Sequence, residues 1–130
     1  MKQATCRVFC CGCDCEVSAK LVTGTVIYPH RGDLSDKRFW RCIVCGNYVG
    51  CHGGSSLPLG NIPTPELRNA RRHIHEALDP IWKSGRISRS RLYRLISQEV
   101  GYTYHTAELR TLAEARRVYR VVRRLAATVG

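Results

Sequence analysis

Three features are missing from this sequence, and each absence argues against a class of protein. No stretch approaches the roughly 20 apolar residues that span a bilayer, so we expect no membrane segment. Residues 1–9 carry Lys2 and Arg7 and no apolar run, which is not typical of a secretory signal, so we expect a reducing cytoplasm. We also find no Ser/His/Asp order, no carboxylate pair with an apolar pocket and no glycine-rich phosphate loop after a strand, so we do not predict an enzyme.

Acidic residues are scarce. The chain has 10 Asp and Glu against 21 Lys and Arg, which gives a formal net charge of +11 with histidine neutral. A field of this sign attracts polyanions, and arginine, which greatly outnumbers lysine here, binds phosphate with two hydrogen bonds. We therefore expect nucleic acid as a partner. The alternatives are that the charge only keeps the protein soluble or that it faces an acidic protein surface.

All eight cysteines lie at or before Cys51. Four of them form two Cys-x2-Cys pairs, Cys10 with Cys13 and Cys42 with Cys45. Each pair can turn a short knuckle, and two knuckles complete the tetrahedral four-sulfur site that Zn²⁺ prefers. We predict a structural zinc ion at this site, because four thiolates leave no position at which the metal activates water.

The choice of cysteines in the first knuckle stays open. Cys11 and Cys15 compete with Cys10 and Cys13, although the latter pair has the better spacing. A second metal site is a further alternative, but its candidates lack paired spacing and such cysteines are often small apolar core residues. These candidates are Cys6, Cys11, Cys15, Cys51 and His52.

The cysteine asymmetry predicts an α+β chain in two parts. Residues 1–57 form a zinc-ribbon-like β module, and residues 58–130 form a basic module of three helices. Glycine, serine and proline are common in residues 53–63, which predicts a linker or irregular loop at the boundary.

Within the β module, the β-branched residues of 17–28 predict two short strands joined by a turn or bulge at Thr23 and Gly24. The second cysteine pair is expected at the tip of another hairpin. Gly46 follows that pair directly, and we predict a positive φ for it because the knuckle must turn its amides toward the sulfurs.

Apolar residues at spacings of three or four predict the helices. The first begins at Pro65 after the cap residue Thr64, and Pro80 interrupts it. The second lies between the cap residue Ser88 and Gly101, which occupies the position after its end.

The third helix is predicted to be the longest, from the cap residue Thr106 to about Ala127. Its predicted buried stripe consists of Leu109, Leu112, Ala115, Tyr119, Val122 and Leu125 with Ala126. Its predicted outer face consists of Arg110, Arg116, Arg117, Arg120, Arg123 and Arg124.

Two patterns in the helical part invite functional interpretations. Residues 95–107 match a helix-turn-helix that would place the start of the third helix, with Glu108 and Arg110, in a major groove, although an ordinary helical hairpin gives the same pattern. His73 and His75 lie two residues apart on a helix and point to different faces, which is unsuitable for one metal. We expect His73 to be packed or hydrogen-bonded.

Two sets of basic residues are predicted to contact phosphates, one around the loop of residues 29–37 and one on the third helix. Tyr48 and Trp40 are candidates for stacking on an unpaired base, although both residue types are more often found in cores. The predicted phosphate contacts are Arg31, Lys37, Arg38, Arg41, Arg117, Arg120 and Arg124.

Several segments together resemble a known family. They are residues 17–24, 27–31, 39–40, 42–52, 58–60, 67–71, 75 and 79–82, among which Tyr-Val-Gly-Cys-His and Pro-Leu-Gly are specific. The chain resembles, over about residues 10–122, the zinc-finger-containing domain proteins of bacteriophages and prophages. The resemblance implies zinc bound by Cys10, Cys13, Cys42 and Cys45 and a phage or prophage origin. It implies no particular activity.

The sequence thus predicts a small phage-type, zinc-stabilised protein of the bacterial cytoplasm that binds DNA or RNA through its basic surface. The alternative is an interaction protein that binds or inhibits a host enzyme or defence complex. A third hypothesis, a metal-dependent nuclease, requires that four histidines converge in one cleft. These are His52, His73, His75 and His105.

Overall fold

The computed structural model describes residues 4–129, so Lys2 lies outside the described part. Within it the chain forms two units, which divide between Pro65 and Glu66. The first unit is built on a four-stranded sheet and the second on helices, which confirms the predicted α+β class.

The first unit contains an antiparallel sheet in the order β1-β2-β3-β4. Its strands are β1 (Thr5–Cys10), β2 (Cys15–Thr23), β3 (Arg38–Cys42) and β4 (Tyr48–Gly50). Side chains alternate between the two faces, and register places Trp40 opposite Leu21 on one side and Val49 on the other. One face is therefore the core side, with Val8, Cys10, Val17, Ala19, Trp40, Cys42 and Val49 buried.

The prediction for residues 17–28 was wrong in its second half. One strand, β2, runs to Thr23, and a single helical turn, α1 (Gly24–Ile27), replaces the second strand. Gly24 explains the change, because a Cβ there would lie 1.7 Å from the backbone oxygen of Leu34. Only glycine lets the chain pass this close to the following loop, and its N–H donates to the carbonyl of Lys37 at 2.8 Å. The strand before the first cysteine pair, β1, was not predicted.

The segment of residues 53–63 is irregular, as predicted, and it lies against the sheet of the first unit. Ile62 is fully buried beside β1, where its N–H donates to the Phe9 carbonyl and its carbonyl accepts from the Cys11 N–H, both at 2.8 Å. Leu59 donates to Gly50 in the same way at 2.9 Å. Residues 58–63 thus complete the core of the β unit.

The second unit contains the three predicted helices. They are α2 (Pro65–Lys83), α3 (Arg89–Val100) and α4 (Leu112–Val129). The predicted ends of α3 are confirmed, since the Ser88 hydroxyl accepts from the Arg91 N–H and Gly101 adopts a φ of 86°. None of the helices described combines the length and the apolar character needed to cross a bilayer.

Two predicted helix boundaries were wrong. The first helix does not stop at Pro80 but continues to Lys83, where the buried Ile81 fixes its last turn. The third begins at Leu112 and not after Thr106, because the Thr111 hydroxyl accepts from the Glu114 N–H at 3.1 Å and caps it there. α4 has 18 residues, one fewer than α2, so it is not the longest.

The later start of α4 also contradicts the helix-turn-helix interpretation. Residues 101–111 separate α3 from α4 and include a 3₁₀ turn at 106–108, whereas a helix-turn-helix joins its helices by about 3–4 residues. Glu108 and Arg110 therefore precede α4 and do not form its first turn.

Candidate metal centre and basic surfaces

The four sulfurs of the predicted zinc site come together at the ends of two hairpins. The Sγ atoms of Cys10, Cys13, Cys42 and Cys45 all lie within 4.8 Å of one another. Across the two knuckles, Cys10 lies 3.5 Å from Cys45 and Cys13 lies 3.7 Å from Cys42. These separations are too long for a disulfide, which is about 2.05 Å. A tetrahedral ion with bonds of about 2.3 Å holds its sulfurs about 3.8 Å apart, so the cluster fits zinc.

In both knuckles, two backbone N–H groups donate to the sulfur of the first cysteine of the pair. In the first, the N–H groups of Gly12 and Cys13 donate to the sulfur of Cys10. In the second, those of Val44 and Cys45 donate to the sulfur of Cys42. Backbone dipoles aimed at a sulfur favour its thiolate, which is the form that binds a metal. The two knuckles therefore resemble each other in chemistry as well as in spacing.

The backbone conformation of the second knuckle confirms the predicted positive φ of Gly46. Its φ is +81°, a backbone conformation that costs other residues energy. Its N–H donates to the Cys42 carbonyl at 3.0 Å, and the Asn47 carbonyl accepts from the Cys42 N–H at 2.8 Å. The turn after Cys45 is thereby closed on the strand that carries Cys42.

The thiols of the cluster do not share one proton affinity. Burial raises the pKa of Cys10 to about 11, although two backbone N–H groups oppose the effect. Burial and the neighbouring sulfurs also raise the pKa of Cys13. Burial acts on Cys42 too, but the N–H groups of Cys45 and Val44 outweigh it and lower its pKa to about 7. Cys42 therefore forms a thiolate more readily than Cys10 or Cys13, and a bound cation would stabilise the thiolate forms of those two.

The remaining cysteines lie outside this cluster. Cys11 is half-buried, and Cys15 is exposed at the start of β2, directly opposite Cys10 in the sheet register. Within residues 4–129 the four-cysteine group is the only set of three or more Cys, His, Asp or Glu ligands close enough to share an ion. The predicted alternative site around Cys6, Cys51 and His52 is therefore not assembled in the part described.

The sequence matches a family model described as a zinc-finger-containing domain over residues 7–127. The chain belongs to this family. No curated protein and no solved structure has significant similarity to it. For this zinc-finger-containing protein, the family and the four-cysteine cluster together point to a bound metal, with zinc the ion that the donor set fits.

The predicted basic residues of the β unit differ in what their side chains already contact. Arg31 forms an ion pair with Asp33 at 2.7 Å, which also lowers the pKa of that carboxyl. Arg38 donates to the Ser55 carbonyl at 3.0 Å, and Arg41 donates to the Gly46 carbonyl at 3.3 Å. Lys37 is exposed in the loop before β3. All four lie on the first unit, where Lys37 and Arg38 line one pocket and Arg41 lines another.

The aromatic candidates differ as well. Trp40 is only 5% exposed and its indole N–H donates to the Ser56 carbonyl, so it is a core residue and not a stacking platform. Tyr48 lies half-buried on the opposite face of the sheet. It packs edge-to-face with Tyr28 and Phe39, with ring centroids 5.7 and 5.6 Å away. A base could reach only the outer side of this cluster.

On α4, two of the three predicted arginines contact Glu99 of α3. Arg124 forms an ion pair with its carboxylate, and Arg117 donates to its backbone carbonyl at 3.3 Å. Arg120 forms no ion pair or hydrogen bond within residues 4–129. The same holds for Arg116, one turn earlier, which sequence reasoning assigned to the outer face without naming it as a phosphate contact.

Arg116 and Arg120 line a cleft between α2 and α4 that the sequence did not predict. Two predictions fail here: Tyr119, assigned to the buried stripe, is 39% exposed, and His73, expected to be packed or hydrogen-bonded, is exposed in the same cleft. Val118 and Val121 are buried beside Val122 instead, so the buried stripe differs from the predicted one. His75 faces elsewhere and contacts Asp79 at 3.5 Å.

Proposed function

We propose that this zinc-finger-containing protein binds nucleic acid through cationic side chains displayed on a zinc-stabilised fold. The zinc is structural, since four cysteine sulfurs fill its tetrahedral shell. The protein acts by binding and not by hydrolysis at this metal, because no coordination position remains for water.

The observation that carries the proposal is that two arginines of α4, Arg116 and Arg120, form no ion pair or hydrogen bond within the described residues. The Glu99 carboxylate neutralises part of the charge of Arg124, whereas Arg116 and Arg120 have no carboxylate partner within the described residues. With a net charge of +11, few carboxylates remain to neutralise these groups. Guanidinium groups in this state favour phosphate, because the planar fork donates two parallel hydrogen bonds to its oxygens.

Salt dependence tests this proposal. Binding of labelled DNA and RNA oligonucleotides is measured by fluorescence anisotropy over a series of salt concentrations. Each phosphate that the protein neutralises contributes a slope of about 0.7 to 0.9 in the logarithmic plot of affinity against salt, so several contacts give a steep fall. Weak binding with a flat salt response would contradict the proposal.

A second candidate function is binding to a host enzyme or defence complex. One observation favours it: Ile43 and Val44, at the tip of the second knuckle, are 58% and 76% exposed, beside the cationic Arg41. An apolar tip with an adjacent cation suits a partner with an acidic rim. Co-purification from bacterial lysate with and without nuclease separates the two functions, because a protein partner survives nuclease and a nucleic-acid tether does not.

We further propose a phage or prophage origin and action in the cytoplasm of a bacterial host. The resemblance of residues 10–122 to phage and prophage proteins supports the origin, and the absence of disulfides among the cysteines of the described residues suits a reducing compartment. Fractionation of a bacterium that produces the protein checks the location. We expect it in the cytoplasmic fraction, and recovery from the periplasm with oxidised cysteines would contradict the proposal.

A further inference from the structure

The cleft between α2 and α4 has a volume of about 330 Å³, within the range of small-ligand sites. It lies entirely within the helical unit. Its lining combines a small apolar floor, one aromatic ring and three basic side chains, and contains no carboxylate. The lining residues are Ala70, His73, Leu112, Ala115, Arg116, Tyr119 and Arg120.

Small side chains create the space. Ala70 on α2 and Ala115 on α4 lie in the lining, and neither extends beyond its Cβ. Ala115 is 1% exposed, so it is sealed beneath the cleft and the void opens outward above it. Leu112, the first residue of α4, adds further apolar surface to the lining. A flat apolar group therefore meets apolar surface at the base of the cleft.

The aromatic wall and the charges are set by helix geometry. Arg116 and Arg120 are four residues apart and so lie on one face of α4, and Tyr119 lies beside Arg120 and three residues after Arg116. Tyr119 is 39% exposed, which leaves part of its surface open to a ligand. His73 adds a third basic side chain from α2.

We propose that this cleft binds one unpaired nucleotide of a single-stranded nucleic acid. The base packs against Tyr119 and the apolar floor, and the adjacent phosphate is bound by Arg116 and Arg120. The inference rests on the proposed nucleic-acid function and narrows it. A base inside a duplex is stacked and cannot enter such a cleft, whereas an unpaired base exposes its π-face for stacking on an aromatic side chain.

The charges support this occupant over a purely apolar one. A hydrophobic peptide gains nothing from two guanidinium groups at the rim and leaves them to be desolvated without a partner. A phosphorylated aromatic group satisfies both features of the cleft at once. Arg123 supplies a matched comparison, because it is an exposed arginine of the same helix that does not line the cleft.

The test compares a short labelled single strand with the duplex of the same sequence by anisotropy. Tyr119→Ala is expected to weaken single-strand binding roughly tenfold and to leave duplex binding unchanged, since stacking on one aromatic ring is typically worth that much. Tyr119→Phe keeps the ring and is expected to bind like the parent. Arg123→Gln is expected to reduce both affinities equally, as a general electrostatic contact does.

A second variant tests whether the defect of Tyr119→Ala results from loss of folding. Ala70→Leu keeps the ring and the arginines but fills the floor, and it is expected to reproduce the single-strand defect of Tyr119→Ala. Circular dichroism at the start of each titration verifies that the helices persist.

The outcomes separate the two proposals. If single strand and duplex bind with steep salt dependence but Tyr119→Ala and Ala70→Leu change neither, the cleft inference is wrong and the nucleic-acid function stands. If neither form binds, the nucleic-acid function itself fails. If free thymidine monophosphate binds as tightly as the labelled strand, the cleft is a mononucleotide site, which also overturns the single-strand inference.

Discussion

The two units bury different kinds of core. In the β unit the buried cluster has eight members, of which two are the cysteines Cys10 and Cys42 and one is the small Ala19. The helical unit buries large aliphatic side chains such as Leu78, Leu92 and Ile96. Units of this size rarely gain more than about 3–5 kcal/mol from a single core and often need a staple. We therefore expect a metal bound by the cysteine cluster to stabilise the first unit, where fewer large aliphatic side chains are buried.

The largest expected effect comes from removing one sulfur. Cys42→Ser is expected to release the metal and unfold the β unit while the helices persist, because structural zinc contributes about 10–16 kcal/mol of apparent binding free energy in small domains. The indole N–H resonance of Trp40, a buried residue of β3, reports on the β unit, and circular dichroism reports on the helices.

Cys15→Ser is the matched control, because Cys15 is an exposed cysteine outside the cluster. It is expected to keep both the metal and the Trp40 resonance. Retention of stoichiometric zinc by Cys42→Ser would contradict the assignment of Cys42 as a ligand and the metal dependence expected of the β unit.

The second-largest expected effect concerns the core of the helical unit. Ile96→Ala removes a fully buried side chain and is expected to lower the free energy of unfolding of this unit by about 2–5 kcal/mol. The zinc content should not change. Urea unfolding followed by circular dichroism measures the loss, with the exposed Gln98→Ala as control. Loss of metal in Ile96→Ala would show that the two cores are not separate.

A smaller effect is expected at the second knuckle. Gly46→Ala places a Cβ on a residue with a φ of +81° and 3.4 Å from Arg41, which is expected to cost about 1–2 kcal/mol. Competition with a chelator measures the consequence as weaker zinc retention. Gly32→Ala, where nothing lies within 4 Å and φ is ordinary, is the control. Equal retention by both variants would contradict the role assigned to Gly46.

The smallest effect combines stability with pH. The Tyr104 hydroxyl is buried and bonded to Thr106 at 2.6 Å, so Tyr104→Phe is expected to cost about 1 kcal/mol near neutral pH. Burial raises the pKa of Tyr104 above that of the unfolded chain. The neutral ring therefore stabilises the fold fully below about pH 10, and this contribution is lost as pH rises further.

The Tyr104→Phe variant has no hydroxyl that can ionise at this position. Urea unfolding near neutral pH and at alkaline pH is expected to show a steeper loss of stability in the parent than in Tyr104→Phe. Parallel losses would mean that Tyr104 does not carry the alkaline sensitivity.

Much of this architecture could be predicted from local pattern. The spacing of the two Cys-x2-Cys pairs indicated which sulfurs converge, and Gly46, Ser88 and Gly101 marked their turns because each backbone position demands a particular residue type. These signals depend on a few neighbouring residues and can therefore be recognised without knowledge of the fold.

What the sequence did not predict depends on contacts between distant residues. Thr23 and Gly24 were interpreted as a turn or bulge between two strands, since nothing local shows that the backbone oxygen of Leu34 would lie 1.7 Å from a Cβ at Gly24. The start of α4 is an exception, because a local signal was overlooked: Thr111 is followed three residues later by Glu114, the capping-box spacing, whereas Thr106 is followed at that distance by Leu109. The cleft was missed because it requires the relative placement of Ala70 and Ala115.

The most direct test of the central claim is the X-ray absorption spectrum of zinc in the purified protein. We expect one zinc per chain with four sulfur neighbours at about 2.3 Å, as supplied by Cys10, Cys13, Cys42 and Cys45. A shell that contains nitrogen or oxygen, or a folded β unit that holds no metal, would contradict the account.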